Sequence, residues 1–154
     1  MPASATRSPT SVQVVRPVDR TVTPEELRQW GEALGATLQP GDLVALHGNL
    51  GAGKTTLAQA IARGFGVAGE VTSPTYALAH QYQGHRGVMW HLDLYRIGGP
   101  RELEQLGWDD MVSGDAVVVI EWPERAEAFL PVPRLDVYLA TVPADTTVRH
   151  LRVA

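Results

Sequence analysis

Of the thirteen cationic side chains in this sequence, twelve are arginines and one, Lys54, is a lysine. Lys54 stands in Gly48-Asn49-Leu50-Gly51-Ala52-Gly53-Lys54-Thr55-Thr56, where Gly48 to Thr55 matches the pattern G-x-x-x-x-G-K-[ST]. The chemistry explains that spacing. Glycines let the backbone wrap close to an anion with successive N–H groups turned inward, and a helix starting there adds its positive end. A compact ammonium fits such a cradle and neutralises β- and γ-phosphate oxygens, where a forked guanidinium is too large. The Thr55 hydroxyl then offers an oxygen to Mg²⁺. Every residue from Gly48 to Thr56 is therefore a candidate nucleotide contact. An ordinary glycine-rich turn is the alternative, and the flanks argue against it: a short apolar strand enters the loop and a helix leaves it. GTPases usually read guanine with an N-K-x-D element. With Lys54 as the only lysine, this chain cannot supply one, so ATP is the expected nucleotide.

Such a site needs a carboxylate at the end of a neighbouring strand, to hold the metal's shell or orient water. Ala116–Ile120 is the most apolar strand candidate and ends at Glu121, the first choice for that acid. Its alternative is an exposed strand-end Glu in a surface pair. Asp93, in His91-Leu92-Asp93-Leu94-Tyr95-Arg96, is the rival. It alternates with Leu92 and Leu94 and so faces away from them, toward either solvent or the nucleotide. His91 shares that face and reads as structural. Thr72-Ser73-Pro74-Thr75, after the lysine-bearing helix, is where NTPases place a switch segment that senses the γ-phosphate. A plain polar loop stays open as its alternative.

The elements that must carry these groups are legible in outline. Thr23-Pro24-Glu25-Glu26 opens a helix with a capping box and a first-turn proline. Leu27, Trp30 and Leu34 then make one apolar stripe. Leu43–His47 is a buried strand, and the helix after Gly53 runs to about Phe65. Tyr76–Tyr82 and Val88–Tyr95 predict a hairpin around a five-residue loop, 83–87. Short helices are expected over Pro100–Leu106 and Pro123–Phe129. Leu135–Val142 and Val148–Val153 should pair across 143–147. This order predicts an α/β fold, a three-layer sandwich of the P-loop NTPase kind, with a mostly parallel central sheet and antiparallel hairpin additions.

Composition sets the bounds. The chain has 154 residues, room for one core, and its 44% hydrophobic and 19% charged content fits a folded domain. Residues 1–13 read as a disordered tail without the apolar stretch of a signal peptide, and 14–154 as one domain. No apolar run is long enough to span a bilayer. The absence of cysteine excludes disulfides, thiolate metal sites and Cys nucleophiles, and a reducing cytoplasm is the expected location. A net charge of −4 argues against a broad basic face for nucleic acid.

Together the motifs resemble one family, the TsaE (YjeE) proteins of bacterial tRNA threonylcarbamoyladenosine biosynthesis. The similarity rests on G-N-L-G-A-G-K-T-T at Gly48–Thr56, V-T-S-P-T-Y at Val71–Tyr76, H-L-D-L-Y-R at His91–Arg96, E-L-E-Q-L-G at Glu102–Gly107 and I-E-W-P-E-R at Ile120–Arg125. It covers about residues 20–153. The P-loop is shared by many families; V-T-S-P-T-Y together with H-L-D-L-Y-R and I-E-W is specific. The resemblance implies an ATPase that acts with the TsaB and TsaD proteins and meets tRNA only through them, with TsaD making the transfer. It implies that Thr55 and Glu121 bind Mg²⁺, that Asp93 serves hydrolysis or its coupling beside Lys54 and Glu121, and that Trp122 lies near the nucleotide. A residue near Thr23 would contact the adenine side. The C-terminal hairpin matches loosely, which leaves Arg149 a weak candidate for nucleotide contact. A small-molecule kinase and an ATP-sensing adaptor without turnover remain open as alternatives.

Replacing Lys54 with Ala should leave the fold intact and weaken ADP and ATP binding by about 10–100-fold, the worth of one charge-assisted hydrogen bond of roughly 1.5–3 kcal/mol. Calorimetric titration measures it. Unchanged affinity in the folded variant would remove the site assignment.

Overall fold

The computed structural model describes residues 15–69 and 79–153. The tail 1–13 and the switch residues Thr72, Ser73, Pro74 and Thr75 lie outside that range. The strands are β1 Val18–Val22, β2 Leu43–His47, β3 Ala79–Gly84, β4 Gly87–Asp93, β5 Val117–Glu121, β6 Leu135–Val142 and β7 Asp145–Val153. The helices are α1 Pro24–Thr37, α2 Lys54–Gly64, α3 Pro100–Leu106 and α4 Trp108–Ser113, with a 3₁₀ segment over Pro123–Phe129.

The strands form one sheet in the order β1-β7-β6-β2-β5-β4-β3. β6, β2, β5 and β4 are parallel to one another, β7 pairs antiparallel with both β6 and β1, and β3 pairs antiparallel with β4 at the other edge. Strand alternation divides two cores. Val44 and Leu46 of β2, Val117 and Val119 of β5 and Met89 of β4 pack with α1 and α2. Leu43 and Ala45, Val118 and Ile120, and Leu92 pack on the other side with Leu103, Trp108 and Met111 of α3 and α4. The two central strands, β2 and β5, are thus apolar on both faces over most of their length, as a sheet covered on both sides requires. The fold class expected from the sequence, helices on both faces of a mostly parallel sheet, is the one observed.

The observed elements depart from the expected ones in several places. β1 carried no signal, because this edge strand is buried only at Val22 and shows no alternation. The first hairpin closes tightly: Gly84 pairs with Gly87, leaving His85 and Arg86 as the turn where a five-residue loop was expected. The left-handed Gly87, φ 133°, permits that turn. Arg86 then donates to carbonyls at the end of α1, Gly35 O at 2.7 Å and Leu38 O at 3.0 Å. Between Pro100–Leu106 and β5 a further helix, α4, was missed; Gly107 separates it from α3, and its six residues are too few to print a periodicity. β7 begins at Asp145, three residues before the expected start, so only Pro143 and Ala144 turn the chain. β5 reaches one residue further than predicted and takes in Glu121.

Helices α1 and α2 touch through small residues. A Cβ on Gly35 would stand 2.0 Å from the Ile61 carbonyl oxygen, and one on Gly64 would stand 2.0 Å from that of Glu32. Backbone on both sides cannot retreat as a side chain could. Gly35→Ala should therefore destabilise the protein by roughly 1–3 kcal/mol despite alanine's better helix propensity. Urea unfolding reads this directly, and an unchanged midpoint would mean that the two helices are free to separate.

Candidate active site at the P-loop

The loop between β2 and α2 is shaped by its glycines. Gly48 is open at φ 157° but crowded, since a Cβ there would lie 2.6 Å from the Leu139 carbonyl oxygen on β6. Gly53, left-handed at φ 104°, turns the chain into α2. Arg149 of β7 secures the loop from outside, donating from Nε to Ala52 O at 3.1 Å and from Nη2 to Gly51 O at 3.3 Å. The C-terminal hairpin thus brings Arg149 to the P-loop, a placement the sequence hinted at only weakly.

Inside the loop, Lys54 is 5% exposed and donates to the carbonyls of Gly48 and Asn49, the latter at 3.1 Å. Its Nζ also lies 3.7 Å from the centre of the Trp122 ring. Burial lowers the Lys54 pKa, partly offset by the charges of Glu121, Glu124 and Asp93. Trp122 reaches this position through a left-handed backbone, φ 58° and ψ 52°, unusual for a large residue. That turn at the end of β5 swings the indole back over Lys54 and against Tyr95, whose ring centre is 4.8 Å away.

Thr55, in the first turn of α2, donates to both oxygens of Glu121, at 3.0 Å and 3.2 Å. Glu121 is 3% exposed and pairs in register with Asp93 of β4. Even residues of β5 point to the α3 side, so Glu121 is turned to the α2 side with Val117 and Val119; the same parity turns Asp93 there with Met89 and His91. Burial raises the Asp93 pKa; the Tyr95 N–H at 3.0 Å opposes this, and the negative Glu121 adds to it. Both acids therefore face the cradle. Surface-pair and solvent-facing alternatives do not describe them.

These groups line a cleft of about 430 Å³ that includes Lys54, Thr55, Asp93, Glu121, Trp122 and Arg149. Leu50, Gly51, Gly53 and Thr56 complete the loop side. Gly48, Asn49 and Ala52 shape the loop from behind; Ala52 donates its N–H to Asn49 O at 3.0 Å. Thr23 is outside this lining. Its hydroxyl and N–H are both engaged with Glu26 in the capping box of α1, at 3.1 Å and 2.9 Å. The sequence reading set aside His91, yet its Nε2 is 2.6 Å from Glu121 Oε2. Its position two residues before Asp93 was the available signal.

The donor set suits a hard divalent cation. Thr55 spends its hydrogen on Glu121, which leaves hydroxyl lone pairs free, and the carboxylates supply oxygen. Among the described residues no group of three or more His, Asp or Glu could by itself hold a metal ion. Mg²⁺ needs no such cage, because it commonly keeps waters and phosphate oxygens as ligands.

Comparison with known proteins gives the chain a family and a fold. The family described as "Threonylcarbamoyl adenosine biosynthesis protein TsaE" matches residues 21–150. The chain is 42% identical over 132 residues to the tRNA threonylcarbamoyladenosine biosynthesis protein TsaE of Streptomyces coelicolor, covering 82% of this chain and 88% of that protein. Against the Bacillus subtilis protein of the same name it is 38% identical over 120 residues, covering 78% of this chain and 75% of that one. The crystal structure of Bacillus subtilis YdiB superposes with a TM-score of 0.72 at 29% identity, covering 92% of this chain and 87% of that chain.

Asp93→Asn should raise the thermal midpoint of the nucleotide-free protein at pH 7. The folded-state pKa of Asp93 is raised, so its ionisation opposes folding once the pH exceeds the ordinary value of 3.8. Below that pH the carboxyl is protonated folded and unfolded, and the two proteins should melt together. A midpoint difference independent of pH would contradict the burial argument.

Proposed function

The chain belongs to the TsaE family, and from that premise we propose that it binds and hydrolyses ATP in support of tRNA threonylcarbamoyladenosine formation, acting with TsaB and TsaD. The threonylcarbamoyl transfer itself would fall to TsaD. Among the described residues no helix is long and apolar enough to cross a membrane. The observation that supports the reading best is the convergence of Lys54, Thr55, Glu121 and Asp93 on one cleft.

In this reading the P-loop N–H groups and Lys54 bind the phosphates. Lys54 would leave the Gly48 and Asn49 carbonyls and exchange weak acceptors for charged ones, a favourable trade in a half-dry cleft. Thr55 and Glu121 would hold Mg²⁺, which when bound neutralises developing charge on the phosphate oxygens. Glu121 keeps Thr55 oriented through their hydrogen bonds. Asp93, with a raised pKa and a face on the cleft, is suited to orient the attacking water and receive its proton. Trp122 and Tyr95 would close one wall against solvent, and Arg149 would keep the loop in its wrapped shape. Turnover should be slow alone and rise when a partner completes the site.

Glu121→Gln should keep its Mg²⁺-free ADP affinity, lose the gain that Mg²⁺ provides, and lose about 100-fold or more in turnover, because the substitution keeps the shape and removes charge needed in the transition state. Hydrolysis measured alone and then with TsaB–TsaD added tests the whole reading. The account expects slow hydrolysis alone and a clear rise with the partners. Fast hydrolysis that ignores the partners would contradict it.

A further inference from the structure

His91 has no part in the reading above, yet it is fully buried on the Asp93 face of β4 and makes a short contact with Glu121. Its other nitrogen, Nδ1, has no hydrogen-bond partner among the described residues. Leaving a buried ring nitrogen idle is unfavourable, and an aliphatic side chain opposite Val119 would fill the same space without that cost. The benefit must therefore lie at Nε2.

Glu121 explains what Nε2 does. The terminal torsion of a glutamate is broad, so packing alone fixes its carboxylate plane poorly. Thr55 contacts the two oxygens at nearly equal distances, 3.0 Å and 3.2 Å, and does not distinguish them. His91 does, touching Oε2 alone at 2.6 Å. We propose that His91 is a positioning residue for Glu121: its Nε2–H anchors Oε2 and leaves Oε1 turned toward Thr55, ready for a divalent cation. This rests on the Mg²⁺–nucleotide reading of the cleft. A carboxylate only accepts, so the single hydrogen of a neutral ring sits on Nε2 and leaves Nδ1 bare. Partners of this kind fix the orientation of a ligating group without touching the metal.

The geometry separates two near-isosteres. A Gln side chain at position 91 can carry an N–H about as far from the backbone as Nε2. Asn carries it only as far as Nδ1. ADP titrations with and without Mg²⁺ on wild type, His91→Gln and His91→Asn therefore isolate the donor from the volume. His91→Asn should keep its Mg²⁺-free ADP affinity and lose about tenfold in the gain that Mg²⁺ provides, the scale of lost support to a metal ligand. His91→Gln should recover most of that gain. Equal loss in both variants, or none in His91→Asn, overturns the proposal. In the wild type, ¹⁵N NMR should find Nε2 protonated and Nδ1 bare, and the opposite tautomer overturns it even where a variant fails to fold. Wild-type ADP binding insensitive to Mg²⁺ would overturn the positioning role alone. A wild type that binds no nucleotide would sink the nucleotide reading and this role with it.

Discussion

A hydroxyl at the start of α2 meets a carboxylate at the end of β5 at 3.0 Å, and most of the architecture serves that meeting. α2 must begin where the P-loop leaves β2, and β5 must lie beside β2 in parallel so that both strands end at the same edge of the sheet. The register supplies this: Leu46 of β2 stands opposite Glu121. Parallel neighbours need crossovers, which put α1 and α2 on one face and α3 and α4 on the other. A buried carboxylate would be costly without partners. Thr55 and His91 supply them here.

The same logic accounts for the crowded side of the P-loop. Gly48 passes 2.6 Å, measured from an imagined Cβ, from the carbonyl of Leu139, so the loop is wedged against β6 and admits no side chain at that point. Arg149 reaches over from β7 and holds the Gly51 and Ala52 carbonyls. The loop is thus braced by the two C-terminal strands, while its inner surface is satisfied by Lys54. A cradle built this way is largely pre-shaped, and binding need only redirect one ammonium group.

Local chemistry was legible in the sequence, and long-range pairing was not. The P-loop announced itself through residue types at fixed spacing, and the capping box of α1 through Thr23 and Glu26. Glu121 could be proposed because it follows the most apolar strand, and Asp93 because alternation tells which way a strand residue points. Nothing local fixes that β4 lies next to β5, so the juxtaposition of the two acids and of His91 with Glu121 needed the fold. β1 was invisible for the same reason: its order comes from pairing with β7, over a hundred residues away in sequence, and from little burial of its own. Arg149 acquires its role through that C-terminal sheet edge. The return of Trp122 over Lys54 depends on one left-handed residue that no propensity would place there.

The account stands on Thr55 and Glu121 acting as a single unit, and a double-mutant cycle on ATP turnover tests that most directly. Thr55→Val and Glu121→Gln would be measured singly and together, under conditions where the wild type turns over. Because each residue acts through the other, the second substitution should cost little once the first is made, a coupling of about 1 kcal/mol or more. Strictly additive losses would mean that the 3.0 Å contact is incidental and that the two residues serve separate ends.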